Sequence, residues 1–234
     1  MKIRHLLPVL LLCPGVLNAA DWNTYRGDSA RSGYTADELP GKLSLQWTYR
    51  SHLPDSAWPS SVRQKFDRAF QTIISNDLLF FGSSADHQLH AIDAATGEER
   101  WSFFTDGPIR LAPVSANGQV YCVSDDGHLY CLEAKTGKLN WKRRGGPTER
   151  KILGNDSICS IWPARGGPAI SDGVLYWAAG IWPSEGIFIE ALKLGNPQRA
   201  WLNDTDGFRF MPQPHGGADA ASGVSAQGHL VLDK

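Results

Sequence analysis

Cysteine is scarce in this sequence, and the cysteines that are present form no metal-binding pattern. There are four among 234 residues, and none belongs to a CxxC pair, a CxxCH sequence or a Cys-Cys dipeptide. The zinc-protease sequence HExxH is also absent. Because zinc sites and covalently attached haem are usually marked by such spacings, the sequence gives no support for either kind of centre.

Long apolar runs and an excess of one charge are also missing. Only residues 1–20 hold an extended apolar stretch, LLPVLLLCPGVL, with Lys2 and Arg4 before it and small residues after it. This pattern is typical of a cleaved signal peptide and predicts a periplasmic or secreted protein. No other run approaches the ~20 apolar residues that span a bilayer, so no transmembrane segment is expected. The formal net charge of −1 gives no general attraction to nucleic acid.

What the sequence does contain is an internal repeat. Residues 89–101 read LHAIDAATGEERW, and residues 129–141 read LYCLEAKTGKLNW. A looser third copy ends at Trp201, and a fourth begins near Gly228. A period of about 40 residues, lengthened in places by insertions, predicts a repeat architecture.

Each copy predicts four short antiparallel strands. In the second copy, the β-rich runs QVYCVS and HLYCLEA are joined by DDG, and the turn sequence EAKTG reverses the chain into KLNWKR. Asp and Gly suit tight turns because they tolerate positive φ angles. Four-stranded units of this length in tandem predict an all-β fold, a β-propeller. Blades are expected at about 69–104, 109–143 and 165–203, with a fourth begun at 221–234.

The tryptophan that ends each copy is predicted to hold neighbouring blades together. A large ring in the outermost strand can cover the next blade and bury roughly 150–250 Å². The residues expected to have this structural role are Asp93, Gly97, Trp101, Glu133, Gly137, Trp141 and Trp201. Ahead of the first blade, residues 21–42 are expected to be a lead-in and residues 43–49 an isolated strand.

The sequence AIDAATGEERW resembles the tryptophan-docking motif AxDxxTGxxxW of the pyrroloquinoline quinone (PQQ) repeat propellers, and the second copy departs from it at Cys131 and Glu133. The resemblance implies a PQQ-like propeller over most of residues 43–234. About three to four blades of a probable seven or eight would be present, so a truncated member is expected. The resemblance does not decide the function, because the same repeat builds quinoprotein alcohol dehydrogenases and the non-catalytic propeller of the outer-membrane β-barrel assembly machine.

Two classes of function remain open. An exported non-catalytic propeller would act as a binding or scaffold module and would need no cofactor. A fragment of a quinoprotein dehydrogenase would need PQQ, calcium and a carboxylate base, and that family also carries a vicinal Cys-Cys pair over the cofactor. The absence of this pair favours the binding module, for which no catalytic or metal-binding residue is expected.

Long insertions indicate where a ligand would bind. Three of them join the last strand of one unit to the first strand of the next, which places them on one face of a propeller, and loops on a rigid scaffold commonly carry binding residues. The candidate residues on this face are Arg63, Lys65, Arg68, Trp162, Arg165, Trp182 and His215. Cations and aromatic rings suit a protein partner or a small anionic or carbohydrate-like ligand. The alternative is that these loops only pack on one another.

Cys122 and Cys131 are candidates for a disulfide. With a two-residue turn between their strands they would face each other, near the short limit of disulfide geometry. The alternative is that both are small core residues without a bond. Cys159 remains single.

Overall fold

The computed structural model describes residues 21–38, 41–51, 67, 69–154, 157–205, 207–212 and 219–233. Within these residues the chain forms β-strands and turns, with one short 3₁₀ turn at Pro183–Glu185. No helix in this part of the chain is long and apolar enough to cross a membrane. The predicted all-β architecture of tandem four-stranded units is confirmed.

The first two blades are four-stranded antiparallel sheets whose strands follow sequence order. The first blade consists of β1 (Thr72–Ser75), β2 (Leu78–Gly82), β3 (Gln88–Asp93) and β4 (Glu99–Phe104). The second consists of β5 (Val114–Ala116), β6 (Gln119–Val123), β7 (His128–Glu133) and β8 (Leu139–Arg144).

The third blade is flanked by insertions that fold as separate hairpins. A hairpin of β9 (Lys151–Gly154) and β10 (Ser157–Ser160) precedes it. The blade itself consists of β11 (Gly166–Ser171), β12 (Val174–Ala179), β13 (Phe188–Lys193) and β14 (Arg199–Asn203). After it come a hairpin of β15 (Arg209–Pro212) and β16 (Asp219–Ser222) and a short strand, β17 (Gly228–His229).

The first hairpin of every blade turns through two residues with positive φ. The pairs are Asn76-Asp77, Asn117-Gly118 and Asp172-Gly173. Left-handed backbone at both central positions is the requirement of a type I′ turn, which matches the twist of the two strands it joins. The same type of turn therefore joins the first two strands of all three blades.

The second blade is buried on both of its faces, which explains its continuous apolar strands. Val120 and Leu132 pack with the first blade, in a core that includes Phe80. Leu129 packs with the third blade, in a core that includes Trp177. Successive side chains of a strand point to opposite faces, so a strand between two blades has no face left for polar residues.

Tryptophans from the last strand of one unit contact the next unit. The Trp101 indole nitrogen donates to the Ala134 carbonyl at 3.0 Å, and its ring covers Gly137, where a Cβ atom would lie 2.6 Å from the ring. Trp47 makes the same contacts with the first blade, donating to the Ala94 carbonyl at 3.0 Å and covering Gly97.

The segment around Trp47 differs from its prediction. Residues 43–49 were expected to form an isolated strand, but they carry no strand assignment. Trp47 and Tyr49 nevertheless point toward the first blade, where Tyr49 contacts Phe81 edge-on with ring centroids 5.4 Å apart. The segment therefore occupies the position of a last strand whose own sheet is absent from the described residues.

The two ends of the described chain meet at the innermost strands. Trp22 pairs with Ile74 in β1, the Asn23 carbonyl accepts from the Ser115 amide at 2.9 Å, and Arg31 donates to the Pro168 carbonyl at 3.0 Å. The lead-in thus touches the first strand of each blade in turn.

The end of the chain does not start a new sheet in the described residues. A fourth blade was expected to begin at 221–234, but β17 pairs in parallel with β11, placing Gly228 opposite Gly166. The Leu232 amide also donates to the Ser29 carbonyl at 3.0 Å. Hydrogen bonds to the third blade and to the lead-in satisfy this backbone in place of a neighbouring strand of its own.

The candidate disulfide between Cys122 and Cys131 is not formed, and both thiols are free. The hairpin loop spans three residues, 125–127, with the Ser124 amide donating to the His128 carbonyl at 3.0 Å. The register sets Cys122 opposite Tyr130 and Cys131 opposite Tyr121. A shift of one residue moves a side chain to the other face, so Cys122 packs toward the first blade and Cys131 toward the third. The alternative of two buried core residues describes the structure.

Candidate functional site

The loop face of the second and third blades holds a cluster of opposite charges. Arg110 lies in the connection from β4 to β5, and Arg165 lies just before β11. Asp125 lies in the loop between β6 and β7, where its amide donates to the Pro108 carbonyl and its carbonyl accepts from the Ser160 amide, each at 2.9 Å. Three different connections therefore fix one site.

Asp125 is bound by both arginines. Arg165 binds it in a bidentate manner, from Nε to Oδ1 and from Nη2 to Oδ2, both at 2.8 Å. Arg110 adds Nε to Oδ2 at 2.8 Å, and it also binds Asp67 through Nη1 at 2.8 Å. The Asp125 side chain is only 3% exposed. Bidentate guanidinium–carboxylate pairs are among the stronger and more directional polar contacts in proteins, so this arrangement is rigid.

The electrostatics of the cluster follow from this geometry. Burial opposes the charge on Arg110, but the carboxylates of Asp125 and Asp67 outweigh burial and raise the pKa of Arg110 above its usual value. The guanidinium of Arg110 therefore stays charged at any physiological pH.

Two cavities are lined by both arginines. One has a volume of about 270 Å³, and its lining includes Arg110, Asp125, Arg165, Cys159 and Trp182. The other, of about 310 Å³, shares the two arginines and adds Asp67. Ligand sites are commonly concave and mostly apolar with a few oriented polar groups, and both cavities suit a small ligand or a protruding side chain of a partner.

The candidate residues from the sequence have different positions. Arg165 belongs to the cluster, and Trp182 lines the first cavity with half of its surface exposed. Trp162 is buried, packs over Gly146 and donates to the Glu185 carbonyl at 2.5 Å, so it supports the loops and offers no open surface. Four candidates lie outside the described residues: Arg63, Lys65, Arg68 and His215.

Sequence reasoning missed Arg110 and Asp125, although the repeat contains a signal for both. Asp125 was attributed to the turn, but it is Asp126 that accepts the His128 amide at 2.9 Å in that loop. At the offset of 40 residues, Asp126 matches Asp86, whereas Asp125 matches Ala85. Comparison of the two copies therefore shows that the turn does not require the charge of Asp125. At the offset of 55 residues of the third copy, Arg110 and Arg165 are equivalent positions.

Two of the acidic residues expected to have a structural role, Asp93 and Glu133, accept hydrogen bonds within the turn before the last strand of their blades. The Asp93 carboxylate accepts from the amides of Ala95 and Thr96 at 3.0 and 2.8 Å and binds Arg100 at 2.6 Å. Arg100 and these amides hold the pKa of Asp93 at about 2. In the second blade, Glu133 accepts from the Thr136 hydroxyl at 2.5 Å.

The third blade departs from the other two at this turn. Pro197 stands where Gly97 and Gly137 stand in the first two blades. Trp141 packs beside the core between the second and third blades, 6.0 Å from Tyr121. Trp201 is 45% exposed.

Calcium does not fit the described part of this face. The carboxylates that line the two cavities are Asp125 and Asp67, and both are bonded to guanidinium groups. Calcium takes six to eight oxygen ligands. Within the described residues, no group of three or more His, Cys, Asp or Glu side chains is arranged to hold a metal ion.

Comparisons with known proteins place the chain among PQQ-repeat propellers. A PQQ-repeat family model, described as outer membrane protein assembly factor BamB, matches residues 46–159. The dehydrogenase subunit of a quinone-dependent alcohol dehydrogenase from Gluconobacter oxydans is 27% identical over 169 residues, which are 65% of this chain and 20% of that protein. The corresponding subunit from Komagataeibacter europaeus is 32% identical over 87 residues, 32% of this chain and 12% of that protein.

A solved structure supports the same fold. Quinohemoprotein alcohol dehydrogenase from Comamonas testosteroni superposes with a TM-score of 0.57 at 20% identity, covering 79% of this chain and 27% of that one. The chain thus spans about a fifth of the length of the first curated relative it matches. By its repeat, its tandem four-stranded blades and these similarities, the chain has the fold of a PQQ-like repeat β-propeller, and residues 46–159 match the PQQ-repeat family model.

Proposed function

We propose that this chain is part of an exported, non-catalytic propeller that binds a partner through its loop face. The observation that carries the proposal is the state of Asp125, the carboxylate at the centre of that face. A general base must reach the proton it removes, but Asp125 is buried and both of its oxygens accept guanidinium N–H groups. It is suited to holding two arginines in place, not to proton transfer.

The partner is a protein surface or a small anionic or carbohydrate-like ligand. Both cavities present the guanidinium groups of Arg110 and Arg165, and the first also presents the half-exposed ring of Trp182. A fixed guanidinium favours carboxylate or phosphate oxygens, and an indole offers a flat surface to a sugar or a planar group. Nucleic acid is not proposed, since the formal net charge is −1.

Export and blade docking are part of the same proposal. The apolar stretch within residues 1–20 would direct the chain to the periplasm or outside the cell. The tryptophans would have a structural role only, with Trp47 and Trp101 fixing one unit to the next.

The second candidate is a fragment of a PQQ- and calcium-dependent quinoprotein dehydrogenase. It is favoured by the curated relatives, which are dehydrogenase subunits of quinone-dependent alcohol dehydrogenases. The lining of the two cavities argues against it, because neither carboxylate is free to bind calcium or to act as a base. We therefore expect no cofactor for this chain.

One experiment separates the two candidates. The purified chain is incubated with PQQ and calcium, passed through gel filtration, and assayed for dye reduction by simple alcohols. We expect no retained quinone absorbance and no alcohol-dependent reduction. Stoichiometric PQQ that survives gel filtration, together with turnover, would establish the dehydrogenase candidate instead.

A second experiment tests the binding face directly. A panel of aromatic carboxylates and neutral oligosaccharides is screened by NMR, with the side-chain N–H signals of Trp182 and Arg165 as reporters. We expect a carboxylate or a sugar to shift both signals, and Trp182→Ala to weaken that binding at least threefold. Trp201→Ala, which removes an exposed ring from β14 and from neither cavity lining, is the matched control and should leave binding unchanged. If no member of the panel shifts either signal, small-ligand binding at this face is wrong.

A further inference from the structure

His90 in β3 lies between two carboxylates. Its Nδ1 is 2.8 Å from Glu99 Oε2, and its Nε2 is 3.1 Å from Asp86 Oδ2. The imidazole side chain is only 6% exposed, and its ring stacks on Phe81 with centroids 4.9 Å apart. A buried ring with an acceptor at each nitrogen cannot satisfy both contacts in its neutral form, which carries one N–H.

The protonated ring fits this geometry. An imidazolium donates from both nitrogens, and each carboxylate then accepts a charge-assisted hydrogen bond. Burial opposes this charge, but the hydrogen bonds and negative charges of Asp86 and Glu99 outweigh burial, and the pKa of His90 is raised above its usual value. In turn, the His90 contact helps to lower the pKa of Asp86 against the effect of its own burial.

Residues 41–51, the segment that precedes the first blade, contact this cluster. The Tyr49 hydroxyl lies 3.4 Å from Glu99 Oε2, and the Tyr49 ring is tilted against His90 with centroids 6.3 Å apart. Two residues earlier, Trp47 covers Gly97. Among the described residues, the charged or titratable groups that face His90 are Asp86 from the preceding turn, Glu99 from β4 and Tyr49 from residues 41–51.

We propose that His90 is a pH-sensitive latch that holds residues 41–51 against the first blade. The imidazolium fixes Glu99 at the position that receives the Tyr49 hydroxyl, while Asp86 binds the other ring nitrogen. When the ring loses its proton, one carboxylate faces a nitrogen lone pair inside a largely buried site. Glu99, whose side chain is 40% exposed, turns to solvent and the contact with Tyr49 is lost.

The direction of the pH dependence follows from linkage. A group whose pKa is higher in the docked state stabilises that state fully below its free pKa, and the stabilisation is lost as the pH rises through the docked pKa. On release, His90 loses the carboxylate of Glu99 and keeps that of Asp86, so its pKa is lower than in the docked state. The latch is therefore closed at mildly acidic pH and weakens as the pH rises through the raised pKa of docked His90. Each unit by which docking raises the pKa of His90 corresponds to about a tenfold change in the docking equilibrium.

The same molecule contains a matched control. Trp47 and Trp101 both donate their indole N–H to a backbone carbonyl at 3.0 Å, but the residue two positions after Trp101 is Phe103, which contacts Tyr130 rather than a histidine. The indole N–H of Trp101 therefore reports contact between blades without the latch.

The test measures hydrogen exchange of the two indole N–H groups by NMR between about pH 5.5 and pH 8.5. After correction for intrinsic exchange, we expect protection of Trp47 relative to Trp101 to fall several-fold as the pH rises, and His90→Gln to abolish that dependence. Glu99→Gln, at a more exposed position, should abolish it as well and serves if His90→Gln fails to fold. A constant ratio in the wild-type chain, an unchanged dependence in these variants, or a His90 imidazole that titrates below pH 6.5 would each overturn the proposal.

Discussion

The ring of Trp101 at the end of the first blade lies directly over Gly137 in a turn of the second. The turn has a φ of +72° at this glycine, and a Cβ atom would meet the ring at 2.6 Å. Glycine is therefore required at this position for two reasons: the backbone conformation and the close approach of the indole.

These two requirements can be measured separately. Gly118 has nearly the same φ, +73°, but nothing lies within 4 Å of its Cβ position. Gly118→Ala should cost about 1 kcal/mol, the strain of a left-handed residue. Gly137→Ala should cost about 1–3 kcal/mol more, because the ring must also move. Urea denaturation of both variants gives the difference, and equal costs would contradict the close contact.

The stability lost when a tryptophan at the end of a blade is replaced by alanine should depend on how much of its ring is buried. Trp101→Ala removes a ring packed on the next blade and should cost about 3 kcal/mol, the low end for a large aromatic, because Trp101 is only partly buried. Trp201→Ala, at a ring that is 45% exposed, should cost about 1 kcal/mol or less. Thermal unfolding of the two variants at equal protein concentration compares them, and a larger loss for Trp201→Ala would contradict the assignment.

The repeat predicted the blades because it encodes local features. Two-residue turns with left-handed backbone and apolar strands at a fixed spacing are readable from a single copy, and the second copy verifies them. The contacts that Trp47 and Trp101 make with the next unit were harder to predict from the sequence, since each partner glycine lies in another copy of the repeat. Trp47 lacks the surrounding motif, which is why its contact with Gly97 was not predicted.

Register and charge clusters were the parts that sequence reasoning could not fix. The turn around Asp126 was correctly located, but a loop of three residues instead of two shifted the register by one residue and moved Cys131 to the other face of the blade. Arg110 and Arg165 lie 55 residues apart and meet only because successive blades bring equivalent connections around Asp125. Such convergence depends on the angle between blades, which no local pattern records.

The contact between the second and third blades includes a buried ion pair. Glu190, with 4% of its side chain exposed, accepts from Arg143 Nε and Nη2, each at 2.6 Å, and from the Trp177 indole at 3.1 Å. Arg143→Ala would leave this carboxylate with Arg199 Nε, at 2.5 Å, and the Trp177 indole as its donors. It should cost about 2 kcal/mol, since hydrogen bonds to a charged group contribute about 1.5–3 kcal/mol.

The neighbouring arginine is the control for that prediction. Arg144 pairs with Glu149, whose side chain is 60% exposed, and exposed pairs contribute at most about 1 kcal/mol. Arg144→Ala should therefore lower stability by less than Arg143→Ala. If chemical denaturation shows equal losses, the pair of Arg143 with Glu190 does not stabilise the interface between the blades.

The free cysteines give the last prediction, which concerns reactivity. Thiolates, not thiols, react with alkylating agents. Burial raises the pKa of Cys131 to about 11 and that of Cys122 still further. Burial also raises the pKa of Cys159, but this thiol is only half buried and lies in a cavity wall. Iodoacetamide at about pH 8 should label Cys159 first, and Cys122 and Cys131 at least about 100-fold more slowly than in urea. Peptide mass spectrometry reads all three sites. Recovery of a peptide linked through Cys122 and Cys131 from the folded protein would show that the register described here is wrong.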